Sequence, residues 1–420
     1  MIPRISVAVL SAIMAAASPV IVDRLPLDIP LAVPTSMIVP FTRIMNPTSA
    51  NLVQLDQARA QALRLYAAMN PNNTGQARSI FNIPATAQAV SYVASAYIGN
   101  PPTEYSLLID TGSSNTWVGA GQPYVESSTT VDTGDLVLVG YGSGAFFGRE
   151  VIDQMTLGPS LTIVNQSIGA ALLSKGFDGV DGILGIGPQD LTCGTLVTDM
   201  TACIPTVLDN AWTQGLISNY EVGISFVPAT SPSDTSTSGE ISFGGVDQSK
   251  FGGNLQYVPI TSTSPASNYV GIDQSVYYGD QLILDTTSGI VDTGTTLLLL
   301  ASDAFGMYQN ATGATMDQTT GLLQITPAQY EQLQSMYFDI GGNRYELTPN
   351  AQIWPRVLNE ALGGEAGAIY LIVSDSGSPS GQGLDFINGM KFLERFYAVY
   401  DVGNERVGFA PTVHTHANSN

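Results

Sequence analysis

One uncommon local pattern is written twice in this chain, 182 residues apart. Residues 105–119 read YSLLIDTGSSNTWVG, and residues 288–300 read SGIVDTGTTLLLL. In both, an apolar run stops at Asp-Thr-Gly and is followed by two hydroxyl residues. The first copy is Asp110-Thr111-Gly112-Ser113-Ser114 and the second Asp292-Thr293-Gly294-Thr295-Thr296. Such a run reads as a buried strand entering a tight turn. Glycine permits the turn, and the hydroxyls surround the carboxylate. A carboxylate at the end of a core strand is costly unless it is paired or at work. Two copies about half a chain apart imply two similar lobes that face each other, each delivering one carboxylate. A third Asp-Thr-Gly, at Asp132-Thr133-Gly134, has polar residues before it and Asp135 directly after it. It reads as a plain hairpin turn.

The rest of the body supports a mostly β fold. Short β-type runs occur at 90–98, 105–109, 136–141, 241–243, 257–260 and 282–284, punctuated by Gly, Ser, Thr and Asn. A few helices are expected, at 206–214, 327–336 and 353–361, and residues 231–238 read as a polar surface loop. Before the body, Arg4 precedes an apolar run at 5–17 that ends in three alanines, the pattern of a secretory signal peptide. Residues 18–78 read as a propeptide containing a helix over 51–69. The expected organisation is 1–17 signal peptide, 18–78 propeptide, 79–260 N-terminal lobe and 261–420 C-terminal lobe with a short, frayed polar tail. With that signal peptide, and no later segment long and apolar enough to span a bilayer by a helix, a secreted, extracellular protein is expected, and a monomer.

Charge divides at the same place. Residues 1–78 carry six Arg against three Asp, a balance of +3, and the remainder carries 8 basic against 32 acidic residues, a balance of −24. A body this acidic is not a nucleic-acid or anionic-membrane binder. It suits acid, because with few bases it cannot become strongly positive when its carboxylates are neutralised. The two histidines, His414 and His416, lie in the tail, which excludes Ser-His-Asp and Cys-His mechanisms from the body and disfavours zinc catalysis. No metal and no cofactor is expected. The two cysteines, Cys193 and Cys203, could close a small loop, remain free thiols or pair with another chain. Asn72, Asn165 and Asn310 stand in Asn-x-Ser/Thr acceptors for glycans.

Two carboxylates brought together cannot both ionise easily. Like charges ~4 Å apart repel by about 4 kcal/mol at an effective dielectric near 20, or roughly 3 pK units. One proton is then shared over a wide acidic range. The ionised partner can take a proton from a water between them, while the protonated partner donates to a substrate carbonyl oxygen. That chemistry hydrolyses an amide without histidine, metal or covalent intermediate.

The chain resembles the pepsin-like aspartic proteases, and among them the basidiomycete polyporopepsin type. The resemblance spans nearly all of residues 83–412. It rests on both Asp-Thr-Gly sites, Trp117, Tyr141-Gly142-Ser143-Gly144, residues 177–185 and residues 383–408. It implies a bilobal fold of two β-rich lobes with a central cleft, and a zymogen-derived acid endopeptidase acting on a peptide or protein substrate. Asp110 and Asp292 would be the catalytic pair. Tyr141, with Gly142 and Ser143, would lie on a hairpin flap over the substrate. Trp117 would donate a hydrogen bond to Tyr141. Ser113 and Thr295 would bond the outer carboxylate oxygens, and Gly112 and Gly294 would offer backbone groups to the substrate. Residues 183–185 and 386–389 would brace the two active-site turns, with Asn388 departing from the usual pattern. A catalytically idle binding or inhibitor protein of the same family is the alternative; a secreted glycosidase also uses paired carboxylates. Many relatives block the dyad with a propeptide lysine. No lysine precedes Lys175 here, so the charge split nominates Arg59, Arg64 or Arg78 instead.

Overall fold

The computed structural model describes residues 36–45, 52–69, 90–142, 144–229, 231 and 237–420. The expected signal peptide, Asn72, Arg78 and Ser143 therefore lie outside the described residues.

The first described strand is β1 (Met37–Met45), followed by α1 (Leu52–Met69). Then come β2 (Val90–Ile98), β3 (Thr103–Asp110), β4 (Trp117–Val118), β5 (Val131–Gly140), β6 (Ala145–Leu157), β7 (Leu161–Lys175) and β8 (Gly182–Gly185). After α2 (Val207–Thr213) follow β9 (Glu221–Phe226), β10 (Thr237–Phe243) and β11 (Gln256–Pro259). These strands build one large sheet, which the strands Phe396–Asp401 and Arg406–Pro411 join from the end of the chain. A second sheet contains β12 (Gly271–Tyr278), β13 (Gln281–Val291) and β14 (Leu298–Leu300), with Met336–Ile340, Asn343–Leu347, Val373–Asp375 and Phe386–Asn388. The fold is mostly β, as the run pattern implies.

Sequence chemistry accounts for the helices. Thr206 and Asp209 form a reciprocal capping box at the start of α2. The expected helix at 327–336 shrinks to Pro327–Tyr330, and that at 353–361 becomes a 3₁₀ turn at Arg356–Leu362.

Three features depart from expectation. β1 lies within 18–78, where the sequence leads one to expect a helix but no strand. It pairs with both β2 and β10, burying Val39, Phe41 and Arg43 alternately with exposed Pro40 and Thr42. The third Asp-Thr-Gly is a bulge inside β5, between Asp132 and Leu136, with Gly134 at φ 80° and its N–H donating to Asp132 Oδ1. The tail is docked: Arg395 Nη1 donates to the carbonyls of His414 and Ala417, and the Asn420 side-chain amide donates to those of Asn350 and Ile353.

Both sheets present their Asp-bearing strands in the same way. β3 runs parallel to β8, with Asp110 opposite Gly185, and β8 runs antiparallel to β4. β13 runs parallel to Phe386–Asn388, with Val291 opposite Asn388, and that strand runs antiparallel to β14. Each carboxylate thus stands at the buried end of its strand, beside a short apolar brace.

Candidate active site

Asp110 and Asp292 come together at the bottom of a cleft, both fully buried. Each sits in the same local cage. The Gly112 N–H donates to Asp110 Oδ1 at 3.0 Å and the Ser113 hydroxyl to Oδ2 at 2.6 Å. The Gly294 N–H donates to Asp292 Oδ1 at 3.0 Å and the Thr295 hydroxyl to Oδ2 at 2.6 Å. The resemblance implied the two hydroxyl roles. The glycine N–H groups serve the carboxylates in this state. A Cβ on Gly112 would collide with Asp292, and one on Gly294 with Asp110, so glycine is what lets the two turns approach.

The threonines of the two triplets do something the sequence reasoning missed. Thr111 N–H donates to Thr293 Oγ1 and Thr293 N–H to Thr111 Oγ1, both at 3.0 Å. Each hydroxyl then crosses to the other turn's strand, Thr111 Oγ1 donating to the Val291 carbonyl and Thr293 Oγ1 to that of Ile109. The signal was present: the same Thr in both copies, at positions that two facing turns must share.

The braces close the cage from behind. The Ile186 N–H donates to the Asp110 carbonyl, and the Asp292 N–H to that of Asn388. A Cβ at Gly185 would strike Ser114, and one at Gly389 the carbonyls of Thr295 and Leu297. The unusual Asn388 is buried and exchanges side-chain amide hydrogen bonds with Gln274.

Over the dyad, β5 and β6 form a hairpin with Tyr141 and Gly142 at its tip. The Trp117 indole N–H donates to the Tyr141 hydroxyl at 3.0 Å, as the resemblance implied. Trp117 stacks on Phe146, centroids 4.3 Å apart, and Phe177 meets both Trp117 and Tyr141 edge-on. Burial, then the nearby Asp110 charge, pushes the Tyr141 phenol far above its ordinary range, so it stays protonated.

Arg59 of α1 fills the space between the carboxylates. Its Nη2 donates to Asp110 Oδ1 at 2.5 Å and to Asp292 Oδ1 at 2.9 Å, and its Nε to Asp292 Oδ2 at 2.6 Å. One nitrogen therefore touches the inner oxygens of both acids. Burial raises the Asp110 carboxyl against the pull of the guanidinium, and the Asp292 charge adds to the rise. Burial acts on Asp292 in the same sense, but the guanidinium charge and its two N–H bonds outweigh it and hold that carboxyl below its usual range. Burial also opposes the Arg59 charge, and the two carboxylates overcome it. One turn earlier, buried Asp56 accepts from the backbone N–H groups of Thr296 and Leu297, and burial lifts its carboxyl to about 7. Arg64 reaches Ser376 and the Leu384 carbonyl. Tyr66 donates to the Leu191 carbonyl, and the flap tip at Gly142 rests on the backbone of Ala58 and Arg59.

Cys193 and Cys203 are joined by a disulfide. Asn165 and Asn310 are exposed. Among the described residues no cluster of His, Cys, Asp and Glu is arranged to hold a metal ion, and no helix is long and apolar enough to cross a membrane.

Two β-rich sheets that each present an Asp-Thr-Gly turn to one cleft define the architecture of a bilobal aspartic protease. Residues 91–412 match the eukaryotic aspartyl protease family, and the chain belongs to it. It is 59% identical to polyporopepsin of Irpex lacteus over 340 residues, 81% of this chain and 99% of that protein. Cathepsin E of Aquarana catesbeiana is 32% identical over 77% of this chain and 80% of its own length. The crystal structure of aspartic proteinase from Irpex lacteus superposes with a TM-score of 0.79 at 52% identity, covering 92% of this chain and all of that one. The chain is thus an aspartic-type endopeptidase, acting on peptide or protein substrates.

Proposed function

We propose that this protein is a secreted acid endopeptidase in which Asp110 and Asp292 activate one water, and that it is made as a zymogen whose residues 18–78 hold it latent. The observation that carries the reading is the guanidinium of Arg59 on the inner oxygens of both acids. When α1 is withdrawn, water takes the place of Nη2. With one proton shared by the pair, the ionised acid accepts a proton from that water as its oxygen attacks the scissile carbonyl. The protonated acid donates to the carbonyl oxygen. Collapse of the tetrahedral species returns a proton to the leaving amine. The cage hydroxyls of Ser113 and Thr295 keep the inner oxygens facing the cleft, and the flap excludes water.

Latency is supported by the position of α1. It lies before residue 91, where the family match begins, and it occupies the cleft through Asp56, Arg59, Arg64 and Tyr66. The N-terminal pattern at 1–17 supports export, and Asn165 and Asn310 are exposed where glycans would attach. Retention of both acids, both cage hydroxyls and the Trp117–Tyr141 pair favours an active enzyme over an idle binder.

The test is hydrolysis of a denatured protein at pH ~3, where the pair holds its shared proton, with and without a statine-type peptide. Wild type is expected to be blocked at stoichiometric inhibitor. Asp292→Asn should lower turnover by about 10³-fold or more while leaving the fold intact. Retained turnover in that variant would overturn the dyad assignment.

A further inference from the structure

We propose that the loop closed by Cys193 and Cys203 is a splint for the flap, and that Leu196 and Val197 are positioning residues for the reaction at the dyad. The proposal rests on the flap role given above and adds what holds the flap's outer edge.

In the hairpin, β5 uses one edge to pair with β6. Its other edge, just below the tip, would expose unpaired backbone groups. The disulfide loop covers it. Val197 N–H donates to the Leu136 carbonyl at 2.7 Å, and Leu138 N–H donates to the Thr195 carbonyl at 2.9 Å. Val137 and Leu196 face each other as an antiparallel bridge. Further out, the Thr198 hydroxyl donates to Asp135. The loop thus adds a short third strand to the flap.

The same loop is tied to the catalytic turn. The Asn115 side-chain amide, one residue past Ser114, donates to Thr195 Oγ1 at 3.1 Å, and that hydroxyl donates to the Thr192 carbonyl at 2.6 Å. Leu196 and Ile204 pack in one apolar cluster with Val137, Val139, Tyr141 and Trp117. Flap, catalytic turn and loop therefore form one packed unit. Just outside the cysteines the loop's ends are also clasped, the Ile204 N–H donating to Thr192 Oγ1 at 2.6 Å and that hydroxyl donating to the Ile204 carbonyl at 2.8 Å; between the cysteines Gly194 N–H reaches the Ala202 carbonyl at 3.3 Å, and Val197 is exposed. The covalent closure adds to these bonds in limiting the loop to conformations that present 195–197 to β5. Without it, the flap's base would lose two backbone partners and its tip would sample more positions.

The experiment compares wild type, Cys193→Ser/Cys203→Ser and Val197→Pro as full-length protein. The last removes the N–H donor and keeps the disulfide, while also fixing φ at 197 and restricting Leu196. Peptide-resolved amide exchange across 136–142 is expected to rise about tenfold in both variants, with exchange in 271–291 unchanged. After acid activation, steady-state kinetics should show KM raised by about threefold or more, with kcat within about twofold, because the dyad cage is untouched. Flap exchange unchanged in Val197→Pro would overturn the proposal, as would exchange rising equally in 271–291 or a lower melting temperature with unaltered KM. If the double variant does not fold, Val197→Pro decides alone. Exchange is read without turnover, so failure of the splint is separable from failure of the dyad assignment.

Discussion

A guanidinium is a better plug for two carboxylates than an ammonium. It presents several donors in a fixed plane, and Arg59 uses two nitrogens to reach three carboxylate oxygens. Arg59→Gln should therefore give a protein that cannot be held latent at neutral pH, checked by binding of an active-site peptide at pH 7. Binding as weak as in wild type would reject the latch. Charge alone nominates three arginines; geometry separates the two that are described, because Arg59 meets the acids while Arg64 meets Ser376 and Leu384. Asp56 was not legible at all, since its partners are backbone amides. Its carboxyl is raised to about 7 in the packed state, so its contribution to docking grows as pH falls from about 7 and weakens as pH rises. It thus opposes acid release, and the depressed Asp292 carboxyl favours it: docking through that group is present above its ordinary pKa and is lost as pH falls through the lowered one. Asp56→Asn, which leaves one buried N–H without its acceptor, should speed release at acid pH by roughly tenfold, measured as the rate at which inhibitor binding appears.

At the scale of elements, the repeated strand-and-turn was readable because a buried strand ending in a carboxylate leaves few alternatives. Its cross-linking was not, since crossed threonine bonds depend on two turns meeting. Thr111→Val removes a hydroxyl that accepts one N–H and donates to Val291. It is expected to cost about 1–3 kcal/mol, read as a lower urea midpoint. Adding Thr293→Val should cost less than the sum, because the two hydroxyls act in one network. Strictly additive losses would argue for independent roles. β1 was illegible for another reason. Its alternation is regular only from Val39 to Arg43, and a buried arginine and an exposed proline mask it. The bulge in β5 shows how little Asp-Thr-Gly means alone: with polar flanks it makes an exposed kink held by its own Asx bond.

Across the whole molecule, titration sets a stability window. Glu221 and Glu240 are raised by burial, and repulsion among the many carboxylates grows as they ionise; both destabilise the fold as pH rises above the ordinary carboxylate range. Asp153, Asp303 and Asp317 are lowered by their hydroxyl and backbone donors despite partial burial, and their contribution is lost as pH falls through those lowered values. Stability should therefore peak in moderate acid. The urea midpoint near pH ~5 is expected to exceed those at pH ~8 and pH ~2; a monotonic rise toward pH 8 would contradict this.

The crossed threonines have one more consequence. Each Thr gives its amide proton and takes the other's, so the contact is its own mirror under a half-turn. A surface of that kind does not care whether its two sides come from one polypeptide or two. Either half, expressed by itself, would keep its own glycine and hydroxyl bonds to its acid but present an unfilled socket shaped for its own copy.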